Sequence, residues 1–291
     1  MTPLLTLAGR NIKLYFTDAG RVFFSLLGAM IAIFLVLIFL KSVQVDAITA
    51  SAAGLVSQDQ ASHLLDAWLI ASAAVIASAT TGLGALGQFV EDRESARWRD
   101  FLVTPLPRWT IVGGYLLAAV VVSVLMTTVV YGLGTAYCLA QGAPLSWGGV
   151  LTGWARLVLC SFGFTALMGF IVSLLRTRAS FAGVSIIVGG TFGFFSGTYV
   201  TTGTLPSNVV QVLNTLPFAQ ASALVRAPYT SQVIAALPEP VRDVTSEKLG
   251  IHLWIGQTAV TAPMTAAMLV LMAVVFSLGA WAVMARTVRH C

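Results

Sequence analysis

The densest run of ionisable side chains is Glu91-Asp92-Arg93-Glu94-Ser95-Ala96-Arg97-Trp98-Arg99-Asp100, with seven charges in ten residues. Helical spacing aligns Glu91 with Ser95, Arg93 with Arg97 and Ala96 with Asp100, and leaves Trp98, Phe101 and Leu102 on an apolar edge. Such a short amphipathic helix, with both signs of charge, suits ionic docking of a second protein. A solvated hairpin whose charges only fix topology is the plainer alternative. Catalytic patterns are missing. The three lysines are Lys13, Lys41 and Lys248; only Lys41-Ser42 resembles the end of a phosphate-binding loop, and it lacks the glycines. His63, His252 and His290 stand far apart, outside any metal-ligand spacing. No Gly-x-Ser-x-Gly elbow is present. Cys138, Cys160 and Cys291 form neither a CxxC pair nor an even disulfide set. We therefore expect no catalytic residues and no metal ligands.

The elements that must position the charged run are apolar. Apolar residue types make up 57% of the 291 residues and charged ones only 9%, against about 25% charged in a soluble domain. That excludes a soluble enzyme, a disordered tail and a nucleic-acid module, despite a net charge of +5. The chain reads as an all-α integral membrane protein. Charge-free runs cover Val22–Leu40, Ala67–Val90, Trp109–Ala155, Leu157–Leu175, Ala179–Val225 and Leu249–Ala285. A helix crosses the hydrocarbon core in about 20 residues, so the third run must break, at Gln141–Gly149 with its Gly142, Pro144, Gly148 and Gly149. The fifth turns Thr- and Pro-rich after Tyr199. Six spans follow, at 22–40, 67–90, 111–140, 150–175, 180–200 and 264–285, joined by a loop over 91–104 and a long connection over 201–262.

Six spans leave both termini on one side. With that side cytoplasmic, eleven Lys and Arg lie inside and four outside, as the positive-inside rule requires. The first run, at 19 residues without a small-residue cleavage site, reads as a span rather than a signal peptide. Residues 1–20 read as an amphipathic interfacial helix. Thr2 is its cap, Leu4, Ala8, Ile12 and Tyr15 with Leu5 and Phe16 form its apolar face, and Thr6, Arg10, Lys13 and Thr17 its polar face.

Within the spans, Thr80, Thr81 and Gln88 give span 2 a mildly polar face suited to lining a path, with Gly82 beside them. Phe192, Phe194, Phe195 and Tyr199 on span 5 suit a gate. Gly189, Gly193 and Gly197 repeat a G-x-x-x-G spacing that permits close helix packing, including at a dimer axis. Arg156 is the one permanent charge inside a predicted span, a candidate for snorkelling, a structural ion pair or substrate contact. Asp66 and Glu91 fall at span ends, so no carboxylate lies within a span, which counts against an ion-coupled secondary transporter. The charges of 226–248 cancel and read as a solvated loop.

The segment Glu94–Ala118, with Phe101-Leu102-Val103-Thr104-Pro105-Leu106 followed by Trp109-Thr110-Ile111-Val112-Gly113-Gly114, resembles the coupling-helix region of type-2 ATP-binding-cassette (ABC) transporter permeases. Ser196-Gly197, Leu205-Pro206, Leu216-Pro217 and Leu224-Val225-Arg226 resemble a second signature of that family. Ala96-Arg97-Trp98-Arg99 stands where the family often has Gly-Thr-Leu-Glu, and Gly114-Tyr115 where it often has Gly-Lys. The resemblance implies that Glu91, Asp92, Arg93, Glu94, Arg97, Trp98, Arg99 and Asp100 couple to an ATPase, and that Pro206 and Pro217 break re-entrant helices on the outer side. It also implies a permease without its own ATPase site. ATP and Mg would be bound by two copies of a partner ATPase subunit, beside a second permease chain, a homodimer ahead of a heterodimer. The expected setting is membrane lipid, in the bacterial cytoplasmic membrane, and the expected role is export, including multidrug efflux, of a drug-like amphiphile, peptide, lipid or polysaccharide.

Overall fold

Apolar runs punctuated by capping residues dictate the helices. The computed structural model describes residues 3–52, 54–95 and 107–287, and six of its helices are long and apolar enough to cross a membrane. Helix α1 (Pro3–Thr17) ends at Asp18, whose carboxylate accepts the Arg21 N–H at 3.0 Å and starts α2 (Ala19–Phe34). Helix α2 runs on through a π turn (Leu35–Leu40) into α3 (Lys41–Ser51). The expected stop at Leu40 is overrun because neither Gly nor Pro follows, and because Lys41 is neutralised in place: its Nζ lies 2.7 Å from Asp66 Oδ1.

Helix α4 (Gln58–Glu94) opens with a reciprocal cap. Ser57 Oγ accepts the Gln60 N–H at 3.2 Å, and Gln60 Oε1 accepts the Ser57 N–H at 3.0 Å. Its 37 residues extend roughly 55 Å at 1.5 Å per residue, well beyond the predicted 67–90. Helices α5 (Arg108–Ala140) and α6 (Trp147–Leu174) divide the long third run at the expected turn, with Ser146 Oγ accepting the Gly149 N–H at 3.0 Å. Helix α7 (Arg178–Phe195) starts on Thr177, which accepts the Ser180 N–H at 3.2 Å.

The connection after α7 folds into a 3-10 turn (Thr202–Thr204), helices α8 (Ser207–Thr215), α9 (Pro217–Ala235) and α10 (Glu239–Lys248), and a small hairpin of β1 (Trp254–Ile255) and β2 (Thr258–Ala259). Pro206 caps α8 and Pro217 is the first residue of α9, where a missing N–H costs nothing. Helix α11 (Ala262–Thr287) closes the bundle.

Helix α4 is the axis, buried along its length, with α2, α5, α6, α7 and α9 packed around it. Its run of Ala, Ser and Gly permits this crowding: a Cβ at Gly82 would collide with Thr165 of α6. The outer helices instead present Phe24, Phe34, Ile186, Leu271 and Val274 outward, as a surface solvated by lipid must. On α1 the buried face is Leu7, Ala8, Asn11 and Tyr15, while Leu5 and Phe16 are exposed. The expected apolar face is rotated because α1 seats on α5 at Gly113 and Gly114, against Leu4 and Leu7. Thr2 lies outside the described residues.

Candidate functional site

The last turn of α4 gathers the charges. Asp92 Oδ2 lies 2.8 Å from Arg10 Nη1, and Oδ1 lies 3.3 Å from Arg10 Nη2, so α1 grips α4 through a forked ion pair. Gln88 Nε2 donates to Asp92 Oδ1 at 2.8 Å and Tyr115 Oη of α5 donates to Oδ2 at 2.6 Å. The Asp92 side chain is fully buried, and only this compensation makes a buried carboxylate tolerable. The hydrogen bond to Asp92 in turn raises the proton affinity of the Arg10 guanidinium, so the pair stays ionic.

Around this hub, Arg21 of α2 donates to Gln88 Oε1 at 3.0 Å and to Glu91 Oε2 at 2.9 Å. Arg178 of α7 meets Glu94 at 2.9 Å and Glu91 at 4.0 Å. Arg93 donates to the carbonyls of Leu175 at 2.8 Å and Ser173 at 3.3 Å, covering the end of α6. The first four predicted coupling residues, Glu91, Asp92, Arg93 and Glu94, thus fasten five helices to the last turn of α4. Arg97, Trp98, Arg99 and Asp100, with the rest of the loop to 104, lie outside the described residues. Tyr115, noted above as a departure from the family's Lys, is the residue that reaches Asp92.

Beside this network a cavity of about 680 Å³ opens between α2, α4 and α7. Asp18, Arg21, Glu91 and Arg178 ring its mouth; Phe24, Ile31, Leu83, Phe181 and Ile186 line it, with Gly28, Gly84, Gly87, Gly189 and Gly190 widening the walls and Ser25, Thr80 and Ser185 adding hydroxyls. It is a half-open apolar groove whose rim includes the outward-facing Phe24, Ile31 and Ile186, and a groove of this size with charged groups beside it fits an amphiphile.

The predicted path and packing residues separate in space. Thr80 lines the cavity, whereas Thr81 is buried with its hydroxyl bonded to the Ala77 carbonyl, and Gln88 is the bridge between Arg21 and Asp92. Gly189 faces the cavity and touches α2 backbone to backbone near Gly28; Gly193 packs under the Tyr199 ring. Gly197 is a helix stop: at φ +64° it lets the Thr198 N–H reach the Gly193 carbonyl at 2.9 Å and its own N–H reach Phe194 at 3.1 Å. Phe192 and Phe195 meet Phe218, the second residue of α9, at 4.9 and 5.8 Å between ring centroids, and Phe164 of α6 stacks on Phe218 at 5.7 Å and meets Phe192 edge-on at 5.0 Å. Tyr199 stands apart from that cluster, edge-on to Phe194 at 5.0 Å.

The N-terminal half of α4 corrects one expectation. Arg226, read as part of a solvated loop, is 1% exposed. Its Nε donates to Ser72 Oγ at 2.7 Å, its Nη2 to the Ser196 carbonyl and Thr198 Oγ1 at 3.1 Å each, and its Nη1 to the Leu249 and Gly250 carbonyls at 3.4 and 3.3 Å, over the face of Trp68 at 4.7 Å. An arginine between Leu224-Val225 and Ala227-Pro228 was the available signal. Helix α4 also runs past Asp66 and Glu91, which are ion-paired to Lys41 and Arg21; at 1.5 Å per residue they stand about 37 Å apart, farther than the thickness of the hydrocarbon core. Arg156 of α6 has a specific task. Pro228 lacks an N–H, which strands the Leu224 carbonyl one turn back in α9, and Arg156 Nη1 donates to that oxygen at 2.9 Å. Among the described residues no group of His, Cys, Asp and Glu is arranged to hold a metal.

Among curated proteins, none matches this sequence. The family model described as "ABC-2 family transporter protein" matches residues 41–282, taking in all of α4 through α10 with the Arg226 cluster and the α4 and α7 sides of the network and cavity; Arg10, Arg21 and the α2 wall precede it. The bundle and that match agree on one assignment: the chain is a multi-pass membrane protein of the ABC-2 transporter family, a permease domain of the kind whose ATPase resides in separate subunits.

Proposed function

We propose that this chain is the permease half of an ATP-driven exporter that takes amphiphiles from the cytoplasm or inner leaflet and releases them outward. The supporting observation is the cavity between α2, α4 and α7, whose charged mouth shares Arg21, Glu91 and Arg178 with the network at the root of the coupling loop. A partner that moves this loop moves the cavity walls with it. The apolar interior and scattered hydroxyls favour a drug-like amphiphile, a lipid or an apolar peptide over a polysaccharide.

In this reading the termini and coupling loop face the cytoplasm of a bacterial cell. Two permease chains, as a homodimer, meet through their exposed α2 and α7 faces and bind two ATPase subunits that hold ATP and Mg. Closure of the ATPases pushes on residues 91–104, and the free energy follows from the difference in affinity between the two permease states. Phe192, Phe195 and Phe218 form the barrier that substrate must pass.

The test is purification of the tagged chain from its own host in mild detergent, with mass spectrometry and ATP turnover. A stoichiometric P-loop partner, lost in an Arg97→Glu/Arg99→Glu variant, is the expected result. A chain that purifies alone and supports ion-gradient-driven flux in liposomes would overturn the reading.

A further inference from the structure

Among the described residues, Arg226 is a cation without an anion. It is almost fully buried, and among the described residues no carboxylate lies within ion-pair distance of it. Every acceptor it uses is a neutral carbonyl or hydroxyl. Those acceptors come from separate parts of the molecule: Ser72 on α4, Ser196 and Thr198 just past the end of α7, and Leu249 and Gly250 past the end of α10. Trp68 binds the same Leu249 carbonyl through its Nε1 at 2.7 Å, so α4 and the turn after α10 are tied twice. One turn earlier on α9, Ser222 is fully buried and its hydroxyl has no partner.

We infer that Arg226 is the positioning residue of the outer gate, a reversible latch joining α4, the end of α7 and the helical cap in the closed state. This rests on the proposed transport function for its purpose, but not for its geometry. A buried charge held by neutral groups is poorly compensated, and an unpaired buried hydroxyl carries a desolvation cost of its own. Arg226 makes five hydrogen bonds across the closed arrangement, and because its acceptors are neutral, water entering from the exit can replace them and reach Ser222, so the latch holds only while packing keeps water out. The opposed Asp92 cluster has no such property, because its charge is matched. The adjacent barrier of Phe192 and Phe218 gives the latch something to hold shut, since Phe218 belongs to the same helix as Arg226.

The experiment places a cysteine at Ser222 in a Cys138→Ala/Cys160→Ala/Cys291→Ser background and follows its reaction with a water-soluble maleimide in lipid nanodiscs. Without nucleotide the latched protein should label slowly. Adding Arg226→Gln should speed labelling by about tenfold or more, the scale of losing charge-assisted hydrogen bonds, and Arg226→Lys should fall between, because an ammonium cannot fan across the same acceptors. Thr198→Val and Ser72→Ala, each removing one acceptor, should give smaller increases in a protein whose unfolding temperature barely moves. If these two milder variants and Arg226→Gln all label as slowly as the parent, the latch is overturned. The nucleotide-free comparison needs no ATPase, so it stands if the transport reading fails; in the purified complex, ATP with vanadate should speed labelling of the parent and change little in Arg226→Gln.

Discussion

Two buried ions meet α4, Asp92 in its last turn and Arg226 of α9 against its N-terminal half, and they are solved in opposite ways. Asp92 meets a guanidinium, an amide and a phenol, and its charge is cancelled on the spot. Arg226 meets only dipoles. Ser72, which receives Arg226, and Asp92 are 20 residues apart on one helix, about 30 Å at 1.5 Å per residue, close to the thickness of the hydrocarbon core. The comparison teaches where such a helix bundle is rigid and where it gives. A matched pair in a buried setting resists separation, so movement imposed at the Asp92 end is passed on rather than absorbed. The unmatched ion can exchange protein dipoles for water at little cost, so the far end is where the bundle opens.

Breaking the matched end should have the largest effect on the fold. Asp92→Ala leaves Arg10, Gln88 and Tyr115 without their shared acceptor, and we expect a loss on the order of 3 kcal/mol, seen as a fall in thermal unfolding temperature in detergent, with uncoupled ATP turnover in the complex. An equal loss in Arg10→Met combined with Asp92→Leu would argue that the ions, rather than the unpaired remnant, matter. Arg226→Met should cost less, about 1–2 kcal/mol, since an uncompensated charge leaves together with its bonds. A drop as deep as that of Asp92→Ala would erase the distinction between the two ends.

Smaller again is the stop of α7. Gly197→Ala forces a side chain into φ +64° and should cost about 1 kcal/mol, read by the same melting curve. Least disruptive to the fold is Gly189→Leu. An added Cβ there meets nothing within 4 Å, so a side chain would extend into open space beside the cavity, and Leu is the better helix former. The unfolding temperature should hold or rise while ATP-driven efflux of a fluorescent amphiphile falls at least tenfold; unimpaired efflux would remove the cavity from the path.

Much of this was legible in the sequence, and for physical reasons. Apolar runs, the charges that bound them and the Gly142–Pro144 turn placed four of the six spans within a few residues of the helices found. The ends of the first two spans were not, since Lys41 and Asp66 read singly as stops and only pairing across two helices lets both continue. Glu91–Glu94 were flagged by density alone, but their partners Arg10, Arg21, Tyr115 and Arg178 are up to 87 positions away in the chain and no local pattern marks them. Arg226 was misread because the connection looked net neutral, and averaging charge over a segment hides a single buried ion. The G-x-x-x-G repeat was seen, but its three glycines serve three separate ends: Gly189 for the cavity, Gly193 for Tyr199, Gly197 for the helix stop.

The account turns on α4 linking a cavity along its C-terminal half to a latch against its N-terminal half. Its most direct test is paired labelling of Gly189→Cys and Ser222→Cys, in separate cysteine-free backgrounds of the complex, with a water-soluble maleimide before and after trapping with ATP and vanadate. The account predicts opposite changes: position 189 becomes protected as the cavity closes, and position 222 becomes reactive as the outer end opens. Changes in the same direction, or none at either position, would contradict it.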